Sequence, residues 1–181
     1  MGTAPVQRCA AKGRCVPYSR RVSAENNLLL QGIHGDELRT VLALCEPRQL
    51  QSGEVLFRQY APADGVWLLE QGQVSILSGS DAARLATFGP GQFVGEMGFV
   101  DGKPRSATAR ADSVLHAVFL ANQSLAALSE QGSGVALTII QNIARELSHR
   151  MRNSAVRMQT STEPESNAWA NSELLGTLSR Y

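Results

Sequence analysis

Apolar positions along the chain change period twice. Between Leu28 and Cys45 they recur at helical intervals, at Leu38, Val41, Leu42 and Cys45; Gly35 and Asp36 mark a helix start and Pro47 closes it, so two short helices are expected. From Gln49 to Leu120 the pattern becomes short alternating runs punctuated by glycine: EVLFRQ, GVWLLEQG, QVSILSG, ARLATFG, GQFVGE, SATARAD and VLHAVFL. Strands this short, with turn residues at regular distances, predict a small antiparallel barrel or jelly roll. After Ala121 helical spacing returns. NQSLAALSEQ predicts a helix begun by Asn122, and a longer one is predicted from Val135 to Met158, with an apolar seam of Ala136, Ile140, Ile143, Ala144, Leu147, Met151 and Met158. The expected fold is mainly β with flanking helices: a double-stranded β-helix, or jelly-roll barrel, of about eight short strands with N-terminal helices and a long C-terminal helix.

With 181 residues, 43% of them hydrophobic, the chain can bury one core plus tails. The organisation expected is a basic arm or non-native leader over 1–24, one domain over 25–158 and a polar tail over 159–181. The arm carries Arg8, Lys12, Arg14, Arg20 and Arg21 with no acid, and it has no apolar run that would serve as a signal or span a bilayer. In the tail, TSTEPESN is polar and broken by proline.

Seventeen basic residues against sixteen acidic leave a formal charge of +1. No global field therefore favours nucleic acid or a membrane, and Arg145, Arg150, Arg152 and Arg157 read as the solvated face of the long helix. Cys9, Cys15 and Cys45 are too few and scattered for a disulfide framework or a four-ligand zinc site, so free thiols in a reducing cytoplasm are expected.

The chemistry concentrates in FVGEMGFVDGKPRSATARAD, Phe93 to Asp112. Gly95 to Val100 is long enough for one helical turn, and a first turn leaves backbone N–H groups without intrahelical partners, which suits an anion. Pro104 fixes the backbone before Arg105, whose guanidinium can clamp a phosphate through two parallel hydrogen bonds, and Ser106 adds a hydroxyl donor. Glu96 would repel a phosphate, but it suits a sugar hydroxyl whose bond it accepts while Arg105 offsets its charge. Gly98 lets a backbone come close. Phosphate and sugar diol in one pocket describe a nucleotide.

GEMGF followed by PRSATARA resembles the phosphate-binding cassette of cyclic nucleotide-binding domains, shared by bacterial catabolite-activator-like regulators, kinase regulatory subunits and cyclic-nucleotide-gated channels. SGEVLFRQYAPADGVWLLEQGQVSIL is similar to the family's first strands, with Gly53, Glu54, Phe57, Asp64 and Gly72 at the expected places, and the resemblance runs from Leu28 to Met158. It implies that Glu96 holds the ribose 2′-hydroxyl, that Arg105 and Ser106 hold the cyclic phosphate, and that the amides of Gly95, Met97, Gly98 and Ala107 complete the cradle. On the long helix it puts Ser154 where bacterial regulators place a base-contacting hydroxyl. The ligand implied is cAMP or cGMP, with cAMP preferred and no cofactor. The implied role is a regulatory domain that is not an enzyme, signals through its C-terminal helix, dimerises through the 135–158 helix and acts on an unknown effector protein.

Two departures from the family pattern stand out. Tyr60 occupies a turn where the family has glycine, at a distance from the phosphate, and the sequence after Met158 is too short and polar for a winged helix-turn-helix, so no DNA-reading module is expected. Two other functions stay open: a non-binding domain of the same fold acting as an interaction module, and a cupin-like metal enzyme, for which His34, His116 and His149 lack metal spacing. Trp169 is either a lid over the ligand or part of a mobile tail.

Overall fold

The run GVWLLEQ forms a strand, β3 (Gly65–Gln71), whose first five residues are all buried. Alternate side chains of a strand point to opposite faces, so both faces must be covered. The computed structural model describes residues 26–79, 82–130 and 134–160, the last five by backbone alone. The elements that supply this cover are, in order, a tight turn Leu28–Leu30, α1 (Gly35–Leu44), β1 (Glu46–Leu50), β2 (Val55–Phe57), β3, β4 (Val74–Ser78), β5 (Ala83–Phe88), β6 (Phe93–Val94), α2 (Glu96–Asp101), β7 (Thr108–Ala111), β8 (Leu115–Ala121), α3 (Asn122–Glu130) and α4 (Gly134–Thr160).

The strands form two four-stranded antiparallel sheets, in the orders β1-β8-β3-β6 and β2-β7-β4-β5, which is the expected jelly roll. One buried cluster draws on both sheets: Trp67, Leu69, Val94 and Leu115 from the first, Val74, Ala109 and Ala111 from the second. In it the Trp67 and Phe119 rings lie 5.2 Å apart at 54°. Val66, Leu68, Val118 and Leu120 alternate with that set on β3 and β8 and are equally buried. The helical segments contribute Leu29, Leu30, Val41, Leu128, Ile139 and Ile143 to the buried set.

Pro47 does not close a helix. α1 stops at Leu44, and Pro47 is the second residue of β1, whose sheet neighbour is β8 alone. An edge strand tolerates a missing N–H. EPRQL thereby becomes a strand that its apolar pattern does not announce. The other outer strands are also short or irregular: β6 has two residues, β2 has three with a register shift, and β5 pairs across a shift at Ile76–Leu77.

Glu70 is the extra residue of a bulge on β3, between the pairs Leu69–Ala117 and Gln71–His116. Its buried Oε1 finds no hydrogen-bond partner among the described residues, and burial raises its pKa above the ordinary carboxylate value. Burial, then the Glu70 carboxylate, pushes the free thiol of Cys45 up to about 12. Among the described residues no group of three or more His, Cys, Asp and Glu side chains is placed to hold a metal ion, and no described helix is long and apolar enough to cross a membrane.

By its contacts the chain divides into two compact units, one ending at Ile143 and the other beginning at Ala144. In the first, Val135, Ala136, Ile139 and Ile143 of α4 are buried, whereas Leu137 and Ile140 are 60% and 47% exposed. Ile140 and Ile143, one seam by sequence, thus lie on different faces of the helix. In the second unit Leu147 is half-buried and Met151 exposed, while Arg150 Nε donates to Glu146 Oε1 at 2.9 Å. The 1–24 arm, Cys9, Cys15, Trp169, the tail from 161 and the side chains of Arg157 and Met158 lie outside the described residues.

Tyr60 carries the strain implied by a non-glycine residue in its turn: φ is +66° and the side chain is 79% exposed. The turn is bonded directly to the cassette. Tyr60 N–H donates to Arg105 O, and Arg105 N–H donates to Ala61 O, each at 2.9 Å. The left-handed conformation costs a residue with a Cβ roughly 1–2 kcal/mol, part of which glycine gives back through its freer unfolded chain. Tyr60→Gly should therefore raise stability by about 0.5–1 kcal/mol, seen as a higher thermal midpoint by circular dichroism. A lower midpoint would mean that the exposed ring contributes more than the strain removes.

Candidate functional site

Gly95 adopts φ +88° and caps α2 without a side chain. The conformation is one that glycine accepts readily. Space is the second constraint, since a Cβ there would lie 2.5 Å from Arg105 Nη1 and 3.2 Å from the Phe57 ring. At Gly98 a Cβ would lie 2.5 Å from both Ala63 Cβ and Lys103 O, so packing of α2 on its own loop requires the glycine before any ligand does. α2 spans Glu96–Asp101, the expected turn shifted by one residue toward the C-terminus so that Gly95 becomes its cap, and Glu96 is buried. It has interactions within the protein.

Arg105 is 2% exposed. Its Nη1 donates to Gly95 O at 2.7 Å, and its Nη2 donates both to Asp64 Oδ1 at 2.7 Å and to Gly65 O at 2.8 Å. The guanidinium carbon lies 4.3 Å from the centroid of the Phe57 ring, a cation–π stack. Buried Nε–H finds no acceptor among the described residues. These contacts alter the expected phosphate clamp. Two parallel bonds need adjacent nitrogens, and every such pair in a guanidinium includes Nη2, whose two protons are already committed. A bidentate phosphate must therefore displace Asp64 or Gly65 O, and the 72% exposed side chain of Asp64 is the more readily displaced.

Of the other expected residues, Ser106 is exposed and its Oγ donates to Met97 Sδ at 3.6 Å; Met97 is 51% exposed and Ala107 buried. Gln59 Nε2 donates to Ser106 O at 3.0 Å, holding that backbone from the strained turn. The structure thus assembles Gly95, Glu96, Met97, Gly98, Arg105, Ser106 and Ala107 in the first unit. Ser154 belongs to the second, where it is exposed and its Oγ donates to Arg150 O at 3.0 Å. Three contributors had no role by sequence reasoning: Asp64, Gly65 and Phe57. Asp64 and Phe57 stood out only as positions shared with the family, and the backbone carbonyl of Gly65 leaves no sequence signal.

The described residues thus form a jelly roll in which a buried arginine lies beside a glycine-capped helical turn. The family model for the cyclic nucleotide-binding domain matches residues 47–131, and this stretch of the chain carries that domain. It is 30% identical over 152 residues to Glutaminase 1 of Bradyrhizobium diazoefficiens, a match covering 83% of this chain and 24% of the glutaminase. The chain thus spans about a quarter of that relative's length. A solved cyclic nucleotide-binding domain from Methylobacillus flagellatus superposes with a TM-score of 0.69 at 22% identity, covering 79% of this chain and 86% of the other. The Thermus thermophilus Catabolite Activator Protein does so with 0.63 at 24%, covering 74% and 62%. At these identities both likenesses speak to the fold.

Asp64 is the one carboxylate within bonding distance of the Arg105 guanidinium among the described contacts, and its exposure screens part of the attraction. Asp64→Ala should lower ligand-free stability by about 1–2 kcal/mol, because a buried guanidinium then keeps only neutral acceptors. Urea unfolding reads this directly, and an unchanged midpoint would remove Asp64 from the account of how Arg105 is held.

Proposed function

We propose that this domain binds a cyclic mononucleotide, cAMP in preference to cGMP, and that occupancy is transmitted through α4 to an effector protein. The observation that carries the reading is Arg105, a buried cation with an unpaired Nε–H and an exposed carboxylate as its exchangeable partner. An incoming cyclic phosphate is also an anion, so it can take over the role of Asp64 without leaving the charge unpaired. Ser106 and the cassette amides add donors, and Glu96 accepts from the ribose hydroxyl. The reading assigns no bond-making chemistry to the site, and the cytoplasm is its proposed location.

The preference for cAMP rests on the bacterial type of the resemblance. Arg105→Ala removes charge-assisted bonds of roughly 1.5–3 kcal/mol each, so affinity should fall about a hundredfold or more. Isothermal titration of wild type and variant with cAMP and cGMP tests this. Equal binding by the two proteins would refute the assigned role, and no binding of either nucleotide by wild type would leave the interaction-module reading.

Self-association belongs to the same proposal. Leu137, Ile140, Ala144, Leu147 and Met151 follow alternating spacings of three and four along α4, and four of the five are exposed. Such a seam suits a second copy of the helix. Leu147→Asp should convert a dimer to monomer in analytical sedimentation, and wild type that is monomeric at micromolar concentration with and without nucleotide would end the idea.

A further inference from the structure

We infer that Met97 is an oxidative modification site whose sulfoxide takes the Ser106 hydroxyl away from the ligand phosphate. The inference rests on the reading that the cassette binds a cyclic nucleotide. Met97 is the second residue of α2, the residue is 51% exposed, and its Sδ accepts from Ser106 Oγ at 3.6 Å. Two properties of that contact matter. A thioether is a weak acceptor, so the Ser106 proton is readily given up to a phosphate oxygen. A solvent-reachable thioether is also open to two-electron oxidants of the peroxide class.

The step is balanced. A sulfur lone pair attacks one peroxide oxygen, the S–O bond forms as the O–O bond breaks, sulfur is oxidised by two electrons, and the peroxide leaves as water. The product keeps its carbon skeleton but presents a polar S=O group beside Ser106. The serine hydroxyl has one proton to give. Donated to the sulfoxide oxygen, it is lost to the phosphate, while the negative end of the S=O dipole faces an incoming anion. Both effects act against binding, and reduction of the sulfoxide reverses both. Met151, 74% exposed in the second unit, reports whether the oxidant has also reached a thioether outside the Phe93–Asp112 stretch.

The test titrates the full chain with cAMP and cGMP before and after dilute hydrogen peroxide, with dithiothreitol added afterwards to return the cysteines to thiols and peptide mass spectrometry to locate each sulfoxide. Loss of a hydrogen bond to a charged group predicts an affinity about tenfold or more weaker once Met97 is oxidised, recovered after treatment with methionine sulfoxide reductases. Met97→Leu, which keeps an apolar side chain of similar volume, is compared only with itself: its affinity, whatever its starting value, should be unmoved by peroxide although Met151 is still oxidised. Unchanged binding by wild type oxidised at Met97, or an equal loss in Met97→Leu, would overturn the inference and leave the cassette reading intact. Untreated wild type that binds neither nucleotide would take both away.

Discussion

A guanidinium taken out of water must be compensated on nearly every side, and the architecture around Arg105 follows from that requirement. Removing a charge from solvent costs several kcal/mol even after relaxation, roughly the scale of a domain's whole stability margin. The compensation is drawn from segments far apart in sequence: a carboxylate and a carbonyl at the start of β3, a carbonyl at the mouth of α2 and an aromatic face from β2. The positive φ of Gly95 and the lack of a side chain there are conditions for the guanidinium to occupy its place. Arg105 therefore ties strands of both sheets together.

On the proposed function, the same residue would link ligand response to stability. The carboxylate that pairs with Arg105 is the most exposed of its acceptors, and the carbonyls are fixed by the backbone. An anion arriving from solvent would compete with the acceptor that is easiest to release, so the site would not need to break its frame to exchange partners. Strain at Tyr60 belongs to the same local system, because that turn and Arg105 share two backbone hydrogen bonds. Backbone strain is retained where surrounding structure over-determines it, and here the frame around the arginine does so.

Period alone located most of the fold. Seven strands announce themselves by alternation and glycine punctuation, and the cassette reads directly because its residues are neighbours in sequence. β1 escaped because EPRQL has almost no apolar alternation and its proline reads locally as a helix stop; only pairing with β8 makes it a strand. Asp64 and Gly65 escaped as site residues for a different reason. They meet Arg105 across 41 and 40 positions, a separation that periodicity does not encode. On α4 the apolar positions are too many for one face, so Ile140 and Ile143 look equivalent until burial separates them. Ser154 became legible only through the family, and its own surroundings show a hydroxyl already bonded to the turn below it.

Every outer strand of the two sheets is interrupted: β1 by Pro47, β2 and β5 by register shifts, and β6 by having two residues. An uninterrupted outer strand offers a row of unpaired backbone groups to any extended chain that passes. A module whose borders are all broken offers no such template, so it can be joined to unrelated neighbours on one polypeptide with little danger of zippering onto them as the ribosome delivers the chain. The match to a quarter of a much longer glutaminase is the setting in which that tolerance matters. Irregular borders of this kind amount to a licence for fusion.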